Sequence, residues 1–319
     1  MRLENIFGAF DGMSGGQLAL NRAGIEYETY YASEINQHVI NVAQQNYPNT
    51  VQLGSIIDIR SLPEIDLMLG GSPCQGFSFA GKQLNFEHPK SKLFFEFVRL
   101  FNMVKPKWFL LENVKMKQQY QDIISSYLGV KPIEINSQLV SAQHRRRLYW
   151  TNIPNIEQPD DMQILLEDIL ENNVEGIKLD FINAKHVLTA RNGKEIRLTS
   201  DVKPPYTIYE TRTEEGKAIR REMRRLTGRD ITPRSKKYKA YYPSTHHNKA
   251  NCLLATPSEL DNIVDKQGVY RALTIIERER LQTIPDNYTQ LASPSQRKKM
   301  IGNGWTIDVI AHILRNIPE

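Results

Sequence analysis

Gly71-Ser72-Pro73-Cys74-Gln75-Gly76-Phe77-Ser78 sets a thiol on a turn of Gly, Ser and Pro, directly after the apolar run Ile65-Asp66-Leu67-Met68-Leu69. That run reads as a buried strand, so Cys74 stands at a strand's carboxyl end, where ligands collect in open α/β sheets. A thiol so placed can attack a substrate once a nearby cation or backbone dipole lowers its pKa from about 8.5. The competing reading is a small buried hydrophobe, the usual fate of a free cysteine. Glu112-Asn113-Val114 ends a second strand-like run that starts at Trp108. An acid at that edge suits proton transfer or base recognition; a solvated strand end is the alternative. Gln143-His144-Arg145-Arg146-Arg147 precedes the strand Leu148-Tyr149-Trp150-Thr151. In an alternating segment Arg145 and Arg147 point the same way. Two guanidiniums on one face bind phosphate or carboxylate and favour a thiolate, unless the segment is merely a basic surface turn. His144 reads as structural.

A second group of residues points to a bound nucleoside. Phe10-Asp11-Gly12-Met13-Ser14-Gly15-Gly16 follows the first strand and opens the first helix. Glycines there let a ligand approach the backbone, and the helix N-terminus favours negative charge. Glu34 closes the second strand, 22 residues after Gly12, where an acid suits a ribose diol. Asp58 follows a third short strand and is in reach of an adenine amino group, or else caps a helix or solvates a loop. The glycine spacing fits neither G-x-G-x-x-G nor G-x-x-x-x-G-K-[ST], which argues against a dinucleotide or a nucleoside triphosphate.

These residues need elements to position them. The first 150 residues of the 319 alternate strand-like and helix-like segments. Strands are expected at Asn5 to Phe10, Tyr27 to Ser33, Ile65 to Leu69, Trp108 to Leu111 and Arg147 to Ile153. Helices are expected at Gly15 to Arg22, ended by Gly24, and at Gln37 to Gln45, Lys92 to Val104, stopped by Pro106, and Gln118 to Tyr127. Repeated βα units of this length define an α/β fold with a doubly wound, mostly parallel sheet. Between Asn183 and Gly268 the segments become short, polar and basic, broken by Pro204-Pro205, Pro233 and Pro243. This reads as a smaller inserted domain, giving units 1–182, 183–268 and 269–319. Helices at Ile275 to Gln282 and Ser295 to Leu314 return to the main sheet.

Composition narrows the class. Hydrophobic content of 40% and charged content of 24% are ordinary for a globular protein. No run approaches the length of a membrane span, and Met1-Arg2-Leu3-Glu4-Asn5 lacks the apolar core of a secretory signal. The two cysteines, Cys74 and Cys252, lie far apart without a CxxC or His/Cys cluster. A disulfide framework and a zinc site are thereby disfavoured, and a reducing, cytoplasmic compartment is expected. The net charge of +5 is uneven: Lys217 to Lys239 holds ten basic residues against Glu222 and Asp230, a net of +8 that leaves −3 elsewhere. Arg220, Arg221, Arg224, Arg225, Lys236 and Lys237 belong to this block. A local basic block on an acidic remainder is the footprint of a polyanion; a solvated helix face is the plainer alternative.

In order along the chain, these motifs resemble the C5-cytosine DNA methyltransferases. The Phe10 to Gly16 loop is similar to the family's S-adenosylmethionine loop, and Pro73-Cys74-Gln75 to its catalytic cysteine motif. Glu112-Asn113-Val114 is similar to its E-N-V, and Gln143, Arg145 and Arg147 to its Q-x-R-x-R. Arg271, Leu273, Thr274, Glu277, Arg280, Leu281, Gln282, Pro285 and Asp286 resemble the block before the last helix, and Gly302-Asn303 the final cofactor motif. Ser141 to Pro154 and Trp305 most resemble the animal de novo branch. Where most of the family has Ser-Val after Gly-Asn, this chain has Gly304-Trp305.

The resemblance implies a class I, Rossmann-like methyltransferase fold in which the insert is a target-recognition domain. It implies Cys74, Glu112, Arg145 and Arg147 as catalytic residues, with Cys74 attacking C6 of a flipped-out cytosine. The implied cofactor is S-adenosyl-L-methionine, leaving S-adenosyl-L-homocysteine. Its contacts would come from Phe10, Asp11, Gly12, Met13, Ser14 and Gly15, from Glu34, Ile35, Asp58 and Ile59, and from Pro73, Leu93, Asn303, Gly304 and Trp305. Double-stranded DNA is the implied partner, met by Gln75, Ser78 and the basic block, with a cognate restriction endonuclease as companion. No metal and no membrane are expected, and the oligomeric state is left open. A transfer-RNA methyltransferase of the same fold, a catalytically silent DNA-binding relative and a folate-dependent nucleotide methylase are the rival readings.

Overall fold

The computed structural model describes residues 1–72, 89–178, 187–189, 195–197, 204–212, 214–228, 239–243, 248–255 and 262–318. Pro73, Cys74, Gln75, Ser78, Lys236 and Lys237 lie outside the described residues. The chain opens with β1 (Arg2–Ala9), α1 (Gly15–Ala23), β2 (Glu26–Ser33), α2 (Gln37–Asn46), β3 (Val51–Gln52) and β4 (Leu67–Gly71). Then come α3 (Pro89–Val104), β5 (Trp108–Val114), α4 (Gln118–Leu128), β6 (Ile133–Asn136), β7 (Arg146–Thr151) and the short α5 (Leu166–Ile169). The expected punctuation is visible. Gly24 ends α1 at φ 71, its N–H on the Asn21 and Leu20 carbonyls, a left-handed cap that costs glycine nothing.

The main sheet has the order β3-β2-β1-β4-β5-β7-β6. β1 to β5 run parallel, and β7 is antiparallel to both its neighbours. Strand order reverses between β1 and β4, which opens a crevice beyond their carboxyl ends. Alternate side chains feed two cores. Leu67, Leu69 and Leu110 join α1 and α9 residues in one cluster, whereas Met68, Phe109 and Leu111 join Phe94, Phe97 and Ile124 in the other. Phe94, Phe97, Val98 and Leu100 of α3 therefore belong to the core. β6, polar apart from its two isoleucines, is an element the sequence pattern did not single out.

The middle of the chain carries β8 (Ile177–Lys178), β9 (Val187–Thr189), β10 (Glu195–Arg197), β11 (Tyr206–Arg212), α6 (Glu214–Thr227), β12 (Lys239–Pro243), β13 (Asn262–Val264) and β14 (Val269–Ala272). Among the described residues these form a five-stranded sheet, β12-β11-β13-β14-β8, and the pair β10-β9. β8 and β14 lie just outside the 183–268 bounds. α6 buries only Gly216, while Arg221, Arg224 and Arg225 are exposed. Its Lys217–Glu214 and Arg225–Glu222 pairs are surface contacts that contribute little to stability.

The chain closes with α7 (Ile275–Leu281), α8 (Pro294–Asn303) and α9 (Ile307–Leu314). Helical spacing from Ser295 to Leu314 is thus interrupted at Gly304, which is extended at φ −69, ψ 171. Tertiary donors capture the carbonyls there. Arg145 Nη2 donates to Gly302 O and Gly304 O at 3.2 and 2.8 Å, and Gln282 Nε2 to Ile301 O and Gly304 O at 2.9 and 3.1 Å. Carbonyls so bound no longer need the helical ladder, and periodicity carries no sign of it.

Arg145 Nη1 also donates to Leu253 O at 3.0 Å, so one guanidinium joins β7's approach, the 252–253 segment and the α8–α9 turn. A lysine cannot reach three carbonyls in that fork geometry. Arg145→Lys should lower unfolding free energy by about 2–3 kcal/mol, read as a lower urea midpoint; an unchanged midpoint would contradict the clamp.

Candidate active site

Glu112 is placed by strand register. Gly71 of β4 pairs with Glu112 of β5, and Glu112 pairs in turn with Tyr149 of β7. Cys74, outside the described residues, follows Gly71 by three positions in the sequence. Asn113 ties the two strand ends, donating from Nδ2 to Ser72 Oγ at 3.0 Å and Ser72 O at 3.3 Å. Arg147, opposite Val114 in the same register, holds Glu112 Oε1 through Nε at 3.0 Å with both side chains largely buried. On the other carboxylate oxygen, Trp305 Nε1 donates to Oε2 at 3.2 Å.

Arg145 and Arg147 share a face, as alternation requires, and meet at Cys252: their Nη1 and Nη2 lie 3.3 and 3.7 Å from its Sγ. Burial disfavours the thiolate, yet the two guanidiniums hold the Cys252 thiol below its ordinary range. Burial and the charge of Arg147 lower Arg145. Burial also opposes the charge of Arg147, but Cys252 and Glu112 raise it above its usual value. The pair is not equivalent. Arg145 is 3% exposed, and its terminal nitrogens reach backbone carbonyls and Cys252. Gln143 is likewise buried, its Nε2 on Leu281 O at 3.0 Å and its Oε1 accepting from Leu253 N at 2.7 Å.

The glycine loop sits at the same edge, at the mouth of the crevice. Phe10, Gly12 and Ser14 take φ of 56, 59 and 64, a kinked path tied down by Asp11 N on Ser33 O at 3.0 Å and by Tyr288 Oη on Met13 O at 2.7 Å. Glu34 braces it, accepting from Gly12 N at 3.1 Å on one oxygen and from Ile35 N and Asn36 N at 2.8 and 2.9 Å on the other. An ionised carboxylate has about four acceptor sites, so capacity remains for a diol. Ile35 and Ile57, after adjacent strands, are 77% and 50% exposed, apolar faces suited to a planar base. Nothing within 4 Å crowds Gly54 at φ 70 between those strand ends. These donors and apolar faces fit a nucleoside cofactor. Asp58 is exposed on the turn after β3, whereas Ile59 is 6% exposed inside the second core, so Ile57 is the isoleucine that faces outward. Leu93 packs against that same core. Met13 is buried, Asn303 is exposed, and Gly304 and Trp305 are half-buried.

Beneath the loop, Asp11 accepts from Tyr30 Oη at 2.6 Å and Ser14 Oγ at 2.8 Å. Gln17 extends this network to Ser14, Thr50 and Tyr27 at 2.7–2.8 Å. Desolvation of the carboxylate pushes Asp11 up to about 7, against the two hydroxyl bonds that lower it and with Glu34 adding to the rise. A Cβ on Gly8 would lie 2.4 Å from Tyr30 Oη and 2.5 Å from Asp11 Oδ1, so the glycine makes room for the pair.

The fold and site together fit a nucleoside-binding α/β protein, and comparison with known proteins narrows this. Residues 5–125 and 134–319 match the family model described as C-5 cytosine-specific DNA methylase. The chain belongs to that family. It is similar to the type II methyltransferase M.NgoBV of Neisseria gonorrhoeae, 42% identical over 33% of this chain and 26% of that protein. It is also similar to the orphan methyltransferase M.SPRI of Bacillus phage SPR, 30% identical over 62% of this chain and 45% of that one. The matches therefore span less than half the length of either relative. In fold it is similar to the Entamoeba histolytica methyltransferase EhMeth, with TM-score 0.61, 17% identity and coverage of 99% of this chain and 98% of that one. The mostly parallel sheet is thus that of the S-adenosylmethionine-dependent methyltransferases. No described helix is long and apolar enough to cross a membrane.

Asp11 generates a pH dependence. Its folded-state pKa of about 7 lies above the ordinary 3.8, so the folded protein holds the extra proton between those values. The group's contribution to stability is full below about 3.8 and is lost progressively until pH reaches about 7. Relative to Asp11→Asn, the wild type should lose thermal stability between pH of about 4 and 7. Parallel profiles for the two proteins would contradict the assignment.

Proposed function

We propose that this chain transfers a methyl group from S-adenosyl-L-methionine to C5 of a cytosine in double-stranded DNA, with Cys74 as the nucleophile. The observation that carries the reading is the pairing of Gly71 with Glu112, which sets the acid at the strand end that Cys74 follows in sequence. Backbone of Phe10, Asp11, Gly12, Met13, Ser14 and Gly15 would hold the cofactor, with Glu34 on its ribose and Ile35 and Ile57 against its base. Asp58 would reach the amino group, while Pro73, Asn303, Gly304 and Trp305 would bound the far side. When bound, the cofactor supplies the methyl group as an electrophile and leaves as S-adenosyl-L-homocysteine.

The chain's residues make C5 reactive. The Cys74 thiolate adds to C6, and its electron pair converts the C5–C6 double bond to an enamine-like nucleophile. Glu112 protonates or holds N3, taking up the charge that would otherwise build on the ring. Arg147 holds Glu112 and offers its outer N–H groups to the ring carbonyl. After transfer the C5 proton leaves to water, the C6–S bond breaks, and the thiolate departs with aromaticity restored. A base inside a duplex must first swing out, at a cost of a few kcal/mol, roughly.

Residues 1–182 and 269–319 would form the catalytic part, and 183–268 the target-recognition domain. Arg220, Arg221, Arg224 and Arg225 of α6, with Lys236 and Lys237, would meet phosphates and offset the cost of extrusion, with Gln75 and Ser78 closer to the extruded base. A cognate restriction endonuclease would be its companion, a reading supported by the name of the type II relative.

The test is labelled-methyl incorporation into duplex DNA, with transfer RNA as the competing substrate and bisulfite sequencing of the product. Cys74→Ser should abolish incorporation while keeping cofactor binding; near wild-type incorporation by that variant would refute the role. Replacing the four α6 arginines by alanine should weaken DNA binding and flatten its log–log salt slope by about 1 for each phosphate no longer neutralised. An unaltered slope would show that the helix faces elsewhere.

A further inference from the structure

We propose that Trp305 is a positioning residue for Glu112: its indole N–H fixes the second carboxylate oxygen and so sets the plane in which the acid meets the substrate ring. The inference rests on the methyltransferase reading and assigns a role to Trp305 beyond a boundary of the cofactor site.

A glutamate at a strand end has a broad terminal torsion. One bond from Arg147 to Oε1 leaves the carboxylate free to swing about it. The second, from Trp305 Nε1 to Oε2 at 3.2 Å, removes that freedom. Pre-set donors and acceptors are what a proton-transfer group needs, since misplacement by about an ångström is costly.

The indole is bordered at two of its edges. A Cβ on Gly71 would lie 2.9 Å from Trp305 Nε1 and 3.4 Å from Glu112 Oε2, so the Nε1 edge abuts the β4 strand end. A Cβ on Gly15 would lie 3.8 Å from its Cε3, which puts the opposite part of the ring beside the start of α1. Its backbone is fixed by the bonds of Arg145 and Gln282 to Gly304 O, and Thr306 Oγ1 donates to Gln282 Oε1 at 2.8 Å. Breaking the α8–α9 helix is what presents the indole to Glu112. Only a tryptophan couples a ring of that breadth to a donor at its edge; phenylalanine keeps the packing and loses the bond.

Steady-state methyl transfer by Trp305→Phe and wild type, with both substrates varied, separates the roles. Positioning predicts that kcat falls about tenfold, the loss of one hydrogen bond to a charged group, with the KM for S-adenosyl-L-methionine within about threefold of wild type. A raised cofactor KM with kcat unchanged would overturn the proposal and leave Trp305 a cofactor contact; no change in either would overturn it too. If Trp305→Phe does not fold, Gly71→Ala decides, because its added methyl wedges the same pair: a lowered kcat with KM kept supports positioning, and wild-type kcat refutes it. Wild-type protein that transfers no methyl group to DNA would sink the functional reading and this inference together, whereas an active wild type matched by both variants sinks this inference alone.

Discussion

The parallel pairing of β4 with β5 is the constraint on which the rest depends. It fixes Gly71 opposite Glu112, and a slip of one residue would turn the carboxylate to the other face of the sheet. That register is held by burial on both faces: Leu67, Leu69 and Leu110 on one side, Met68, Phe109 and Leu111 on the other. The antiparallel β7 then delivers Arg147 to the same edge. A carboxylate, a guanidinium and the Gly71-Ser72 strand end thereby converge although they are far apart in sequence.

A buried polar network converts this edge into a site. Ser137, Thr306, Gln282 and Gln143 are linked by side-chain bonds of 2.8–3.3 Å, and Arg145 adds the 252–253 segment and the α8–α9 turn. Such networks fix a unique arrangement when their members are satisfied. Here residues from the middle and end of the chain, Glu112, Arg147 and Trp305, meet in direct contact. The basic α6 packs on β11 of the second sheet, apart from the β4–β5 edge.

Much of this was legible in the sequence. Gly24 and Pro106 marked helix ends, and the Ile65 run with the Trp108 run located the two strands that matter. The glycine loop with Glu34 was readable because both need only local strand context. What the pattern hid was decided by tertiary contacts. Helical periodicity ran through Gly304 because the donors that break the helix, Arg145 and Gln282, lie far away in sequence. Alternation placed Arg145 and Arg147 on one face but could not tell that only one of them is enclosed by carbonyls. Ile57 and Ile59 are two residues apart in an irregular turn, where no periodicity says which points outward. Nothing local to Cys252 announces the two guanidiniums that meet it.

The central claim is that the thiol of Cys74 bonds to C6 of an extruded cytosine while Glu112 stands beside it. Duplex DNA synthesised with 5-fluorocytosine in place of cytosine tests this directly, because fluorine at C5 cannot leave as a proton does and the adduct is trapped. With S-adenosyl-L-methionine present, intact mass should show one protein joined to one DNA strand, and peptide mapping should place the bond on Cys74. Protein that methylates ordinary DNA yet never becomes joined to the fluorinated duplex, or becomes joined at another residue, would contradict the account.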